Sequence, residues 1–405
     1  MKILMICQYY YPEPFRVNEL CEELVRRGHE VTAVTGVPNY PEGEIYKGYE
    51  GRAERDETLG GVRVHRLPVH PRKTGALHRM LNYYSYARKA TRYVKSKACA
   101  AADGSAFDIV LVYQLSPVMM AKAAVAYSQK HGVPVVMYCL DLWPESLVAG
   151  GIKRGSWIYR HFHRVSKRIY TLMDRILITS RMFKEYLVEE FGVRDDVVDY
   201  LPQYAEGIFG EVPPHEPDSI THLMFTGNIG AMQGVETILG AAERLKREPV
   251  RLHIVGGGIE LKRLRQTAKD KGLDNVVFYG RRPLSEMPKY FGMADAMLIT
   301  LRADPVLSCT LPGKVQAYMA AGKPVIGAIN GETEKVIRAA GCGFCGPAED
   351  DEALAENIRR FAALEDKNAL GENARAYYEG NFEETRFMDR LEGELKARLS
   401  GGDGK

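Results

Sequence analysis

Short runs of apolar, largely β-branched residues alternate with longer segments of helical periodicity along most of the chain. The first half gives strand-sized runs at KILMIC, EVTAVTG, VRVHRL, DIVLVY, PVVMYC, RILITS and VVDYL. A helix from Arg16 to Arg27 separates the first two and stops at Gly28. Near Tyr204 the texture changes to AEGIFGEVPPHEPDSI, where three prolines, two glycines and four acids predict a linker. The alternation then resumes with HLMFTG, a helix from Gln233 to Lys246, RLHIVGGG, a helix from Ile259, NVVFYG, DAMLIT, a helix through Ala320 and PVIGAI. Helices fill the chain from Asp350 to Leu399. Continuous apolar strands alternating with helices predict parallel sheets covered on both faces. The reading is an α/β protein of two doubly wound units, with ligands at the carboxyl ends of the strands in the cleft between them.

Length agrees with two cores: 405 residues exceed what one core supports. No run is apolar enough to span a bilayer, and MKILMICQYYYPEP reads as a buried first strand, not a secretory signal. The 7 cysteines are odd in number, and Cys7, Cys139 and Cys309 lie in or beside strand-like segments, which suits reduced thiols in a cytoplasmic protein. Cys342 and Cys345 form a C-x-x-C without a second ligand pair, so no metal is expected there. The net charge of +3 hides an asymmetry: residues 1–200 carry 29 Lys and Arg against 22 Asp and Glu, and the remainder 26 against 30. An anionic partner is therefore expected at the first half.

Four segments carry candidate chemistry. In FTGNIGAMQG a strand runs through Gly227, Asn228 and Gly230 toward Gln233 and a helix, a turn whose N–H groups suit an anion. In LPGKVQAYMAAGKPVI, Pro312 and Gly313 open a helix that Gly322 stops. Lys314 in its first turn opposes the helix dipole unless an anion is bound there. Gly331 and Glu332 follow PVIGAI; the carboxylate can cap the next helix or accept a sugar hydroxyl. In CLDLWPE, Asp141 ends a strand, and Trp143 offers either a platform for a pyranose or core packing.

The TGNIG-x-x-QG turn, DLWPES, VPNYPEG and PGK-x5-AAGKPVI resemble retaining glycosyltransferases of family 4, in particular the bacterial exopolysaccharide and O-antigen branch that includes N-acetyl-L-fucosamine transferases. The resemblance implies the GT-B fold of two facing Rossmann-like domains. An acceptor domain over residues 1–203 would be joined by a returning helix at about 383–405, and a donor domain would span 204–382. It implies a nucleotide-sugar donor, UDP favoured, no resident cofactor or metal, and an acceptor held on a polyprenyl diphosphate in capsule, O-antigen or exopolysaccharide synthesis. The donor set it suggests is Gly227, Asn228, Gly230, Gln233, Gly256, Arg281, Gly313, Lys314, Gln316, Gly331 and Glu332. Glu13, Arg16 and Trp143 fall on the acceptor side, and Asp141, Lys314 and Glu332 nearest the chemistry.

The chain departs from that family in three places. Asn228 and Gln233 stand where an Arg and a Lys are usual. The acidic pair E-x7-E is replaced by Cys309 and Ala317, leaving Gln316 as a substitute for ribose recognition. Pro12-Glu13-Pro14-Phe15-Arg16 replaces a glycine-rich acceptor loop, with Arg16 either meeting a phosphate or starting the helix.

Two acid-free segments, 77–100 and 155–173, are rich in Lys and Arg. In the second, Trp157, Ile158, Phe162, Val165 and Ile169 are expected on one side and Arg160, Arg164, Lys167 and Arg168 mostly on the other. Basic amphipathic helices of this kind suit an anionic membrane surface, and place the protein peripherally on the inner face of the cell membrane. Solvated basic faces are the plain alternative. No nucleic-acid-binding signature accompanies the charge. Other readings are a nucleotide-sugar epimerase of the same fold, a non-catalytic nucleotide-sugar-binding protein, and an NAD-dependent oxidoreductase. The last is disfavoured because Leu261 breaks the G-x-G-x-x-G spacing after Gly256.

Overall fold

The computed structural model describes residues 1–51, 54–73, 75–149, 151–213 and 218–400. Residues 214–217 of the linker and the last five of the returning segment lie outside the described residues. The chain forms two compact units, Met1–Leu201 with the chain from Met388 onward, and Pro202–Phe387.

The first unit is built on an eight-stranded sheet: β1 (Lys2–Ile6), β2 (Glu30–Gly36), β3 (Arg55–Leu59), β4 (Val62–Leu67), β5 (Ile109–Gln114), β6 (Val135–Cys139), β7 (Arg175–Ile178) and β8 (Val198–Tyr200), in the order β3-β4-β2-β1-β5-β6-β7-β8. All neighbours are parallel except β3 and β4. The central strands β5 and β6 are buried along their whole length, so they read as unbroken apolar runs. β3, RDETL, has no such run because it is an edge strand facing water. Its one sequence signal is Gly60-Gly61, a two-residue hairpin connection with both φ angles positive.

The second unit holds β9 (Thr221–Thr226), β10 (Val250–Val255), β11 (Val276–Gly280), β12 (Ala296–Thr300), β13 (Val325–Ala328) and β14 (Gly343–Gly346), all parallel, in the order β11-β10-β9-β12-β13-β14. The glycine-rich β14 went unread in the sequence. Both sheets reverse direction of growth once, between β1 and β5 and between β9 and β12, the switch points where such sheets bind ligands. In the second unit, alternate residues of β9 feed two cores. Leu223 and Phe225 pack with helix Val235–Arg244, and Met224 packs with helix Gly313–Ala320.

The helix Glu384–Ser400 is pinned to the first unit from Met388 on. Arg27 binds Asp389 at 2.6 Å and Glu392 at 3.3 Å, and Arg175 binds Glu394 at 2.7 Å. The two basic segments fold as helices Ala76–Lys95 and Trp157–Tyr170. Phe162 and Ile169 are buried, but Trp157 stands 74% exposed, so it does not join the apolar side expected for it. The reason is its place as first helical residue after the Ser156 cap, ahead of the turn that meets the core.

Candidate active site

Beyond β9 and β10 the backbone is packed against itself. A Cβ on Gly256 would lie 1.8 Å from the Gly227 carbonyl, and one on Gly258 would lie 2.2 Å from that of Ile229. Only glycine permits this approach. The Gly227 amide donates to the Val255 carbonyl and the Ile229 amide to that of Gly257, each at 2.9 Å. Gly256 thus shapes the turn by letting two loops touch.

The turn does not offer its amides as the sequence suggested. Gln233 Oε1 accepts from the Gly230 N–H at 3.1 Å and from Asn228 Nδ2 at 3.2 Å, so the side chain that stands in place of a usual lysine closes the turn from within. Gly230, Asn228 and Gln233 satisfy one another. Thr300 Oγ1, at the end of β12, donates to the Gln233 carbonyl at 2.6 Å and fixes this arrangement to the far side of the switch point.

The cation that meets the turn is Lys314. Its Nζ lies 4.1 Å from the Phe225 ring centroid, and a Cβ on Gly227 would sit 2.9 Å from it. The Nζ is sealed from solvent and has no hydrogen-bond partner. Burial pulls its pKa down to about 7. One turn on, the Tyr318 hydroxyl binds Thr226 through backbone and side chain at 3.2 and 3.1 Å, which holds the helix start against β9. Between them Gln316 is 1% exposed, with its Oε1 also unpartnered. An unpaired buried polar atom costs free energy until a ligand or water satisfies it, and this helix start carries two.

The remaining second-unit candidates frame these groups. Gly313 opens the helix after Pro312. Arg281 is exposed on the loop after β11, its Cβ backing Gly257. Gly331 lets the chain pass the Ser308 carbonyl, where a Cβ would approach to 2.1 Å. Glu332, 2% exposed, is the first residue of helix Glu332–Ala340, and Thr333 Oγ1 donates to the Thr310 carbonyl at 3.1 Å.

At the carboxyl ends of the first sheet, Asp141 accepts from Ser116 Oγ and Ser146 Oγ, both at 2.5 Å, and burial raises its pKa. Trp143 must be corrected. It is 1% exposed, packed edge-on against Tyr83 and Phe162, with its Nε1 donating to Ser116 Oγ, so its ring presents no face to a sugar. Glu13 must be corrected as well. Its carboxylate is sealed and takes N–H groups from Tyr10, Asn39 and Tyr40 at 3.2, 2.8 and 2.7 Å, which ties the loop after β1 to that after β2. Burial still pushes its pKa up to about 7. Arg16 is half-buried at the helix N-cap. Sequence reading passed over the group beside that staple: Tyr9, Phe15 and Tyr40 pack ring on ring, with the Arg72 guanidinium 5.3 Å from the Tyr40 centroid. Their signal was the density of aromatics in QYYYPEPF and VPNYPEG.

Leu77, Leu81 and Tyr84 lie exposed on one face of helix Ala76–Lys95, and Arg88 and Arg92 continue it. Tyr84 Oη meets His161 Nε2 at 3.4 Å, which joins this face to that of Trp157, Arg160 and Arg164. No helix among the described residues is long and apolar enough to cross a membrane.

Comparison with known proteins places both units. Residues 15–203 match the glycosyl transferase 4-like domain and residues 214–377 match the glycosyl transferases group 1. The chain is 25% identical over 98% of its length to the whole of a putative colanic acid biosynthesis glycosyl transferase, WcaI, of Escherichia coli. Its fold resembles sucrose-phosphate synthase from Thermosynechococcus elongatus, with a TM-score of 0.74, 18% identity, and 99% and 100% of the two chains covered. It also resembles Anabaena HepE solved with UDP-glucose, with a TM-score of 0.66, 15% identity, and 98% and 100% covered. The chain belongs to the glycosyltransferases, its first unit a 4-like domain and its second a group 1 domain in a GT-B fold.

Proposed function

We propose that the chain is a retaining, metal-independent glycosyltransferase of the hexosyl type. It moves a sugar from a nucleoside-diphosphate donor, UDP favoured, to a glycan carried on a polyprenyl diphosphate during bacterial surface polysaccharide synthesis. The observation that carries the donor assignment is the sealed, unpartnered Lys314 Nζ under Gly227, in the first turn of a helix at the switch point. Diphosphate oxygens supply what both the amine and the helix start lack. The likeness to a colanic acid biosynthesis glycosyl transferase and to a protein solved with UDP-glucose supports the substrate classes.

Cleavage of the sugar–phosphate bond places negative charge on the departing diphosphate. Lys314 and the helix amides beside Gly313 are fixed toward that charge, a preorganised arrangement that favours the transition state. Gln316, with an idle Oε1, accepts a ribose hydroxyl, and Glu332 orients the transferred sugar. Arg281 closes the outer side of the donor. In the first unit, Asp141, held by two serines, orients the acceptor, and Arg16 attends its phosphate. The exposed face of Leu77, Leu81, Tyr84 and Trp157, flanked by arginines, seats the protein on the anionic inner face of the membrane, where a lipid-linked acceptor resides.

A thermal-shift screen against UDP, GDP, ADP and TDP, followed by transfer assays with the matching sugar nucleotides and a polyprenyl-diphosphate glycan, tests this reading. A diphosphate at 100 times its dissociation constant stabilises by about 2.7 kcal/mol. Stabilisation and transfer are expected with one base. Interconversion of the sugar without transfer would favour an epimerase, and stabilisation by none of the four would remove the donor site.

A further inference from the structure

In the donor site Lys314 Nζ is sealed from solvent without a hydrogen-bond partner. Its ammonium would lie with the Phe225 ring on one side and the Gly227 backbone close by. The ring face gives a cation weak compensation; the amide dipoles of the helix start give the opposite. The groups shown against it are Phe225 of β9 and Gly227, with Thr226 of β9 bound to Tyr318 one turn along its own helix. Of these helix and strand residues only Tyr318 titrates, and its phenol is pushed up to about 12 by burial and bound to Thr226. Burial lowers the Lys314 pKa, and no carboxylate among the described residues offsets it.

We propose that donor binding is coupled to protonation: Lys314 rests substantially as the neutral amine against Phe225, and takes a proton from solvent when a nucleoside diphosphate arrives. The amine lone pair accepts that proton, and the new ammonium donates to the diphosphate oxygens. This inference rests on the donor-site reading above and adds the charge state to it. It also explains how a lysine occupies a helix start without a counter-ion, since the empty site need not hold the charge. Burial and the helix dipole disfavour the cation only until the anion is present, so the site tightens on a charged diphosphate and not on a neutral sugar or nucleoside.

The sign follows from the depressed pKa. The free site loses its proton as pH rises through about 7, whereas the bound site retains it to higher pH. Uptake is therefore small at pH 6 and approaches one proton per diphosphate at pH 8. Between pH 7 and 8.5 the apparent Kd should rise roughly tenfold, a range in which a terminal phosphate with a second pKa of about 6 is already ionised.

Isothermal titration of the full chain with UDP at pH 8, in buffers of low and high ionisation enthalpy, reads the proton count directly. Inorganic pyrophosphate is run beside it to separate the diphosphate from the base. The wild type should take up close to one proton with UDP. Lys314→Met, which keeps the apolar stem, should bind more weakly with no such uptake, and Lys314→Arg, which stays charged, should bind with a flat pH dependence. UDP binding without proton uptake, or with the same uptake in Lys314→Met, overturns the coupling and leaves the donor site standing. Failure of UDP, GDP, ADP and TDP alike to bind overturns both.

Discussion

A lysine buried without a partner is expensive, because the ammonium gives up hydration and receives nothing in return. Lys314 would bear that cost as an ammonium, and the residues around it temper it: Phe225 supplies a ring face and Gly227 leaves room that any Cβ would fill. Lys314→Ala should lower kcat at least about tenfold, with a smaller effect on the KM for acceptor, if the amine stabilises the leaving diphosphate. Turnover near the wild-type rate with saturating donor would contradict that role. The anomaly of Lys314 was legible in the sequence, since a cation in a first helical turn is a conflict that spacing alone reveals. What Gln233 does was not legible. A glutamine three residues after a glycine can turn inward or outward, and only the fold shows it accepting the Gly230 amide. Trp143 and Glu13 share one difficulty: both lie on loops beyond strand ends, where sequence cannot tell a side chain facing the ligand from one that braces the loop.

Elements followed the hydrophobic pattern wherever a strand is buried on both faces, as β5 and β6 are. The pattern failed at β3 and β14, an exposed edge strand and a four-residue glycine-rich strand, because neither contains an apolar run of its own. The helix Glu384–Ser400 is held by the buried Met388, Leu391 and Leu395 and by ion pairs at its edge. Glu392 is drawn down to about 2 by its Lys396 hydrogen bond, and next by Arg27 against the opposing effect of burial. A lowered carboxylate contributes stability above its ordinary pKa and loses it as pH falls toward the folded value, so this attachment should weaken between about pH 4.5 and 2. Arg27→Ala removes the Asp389 and Glu392 contacts and should cost about 1 kcal/mol. Its mark is faster amide exchange in Met388–Ser400 than in the core strands; unchanged exchange there would show that apolar packing by Met388, Leu391 and Leu395 suffices.

At the scale of the whole molecule, the excess of basic residues in the first half resolves into two helices whose exposed faces meet at Tyr84 and His161. The charge and its location were legible in the sequence; the apolar tip formed by Leu77, Leu81 and Trp157 emerged only from the fold, which turns Trp157 outward. Sedimentation with vesicles should show binding that requires anionic lipid and falls with added salt. Leu77→Ser combined with Trp157→Ser should weaken it severalfold while leaving nucleotide binding intact. Equal pelleting with neutral vesicles would indicate adsorption unrelated to charge. Two doubly wound sheets with one switch point each were readable from alternation and length, whereas the site depends on a few close backbone approaches that no periodicity encodes. Whether the second unit holds a nucleoside diphosphate at the Lys314 helix start is decided by a crystal structure of the protein with UDP. Diphosphate oxygens are expected within hydrogen-bonding distance of Lys314 Nζ beside Gly227; a diphosphate lodged anywhere else in the chain, with Lys314 still sealed and unpartnered, would refute the donor site.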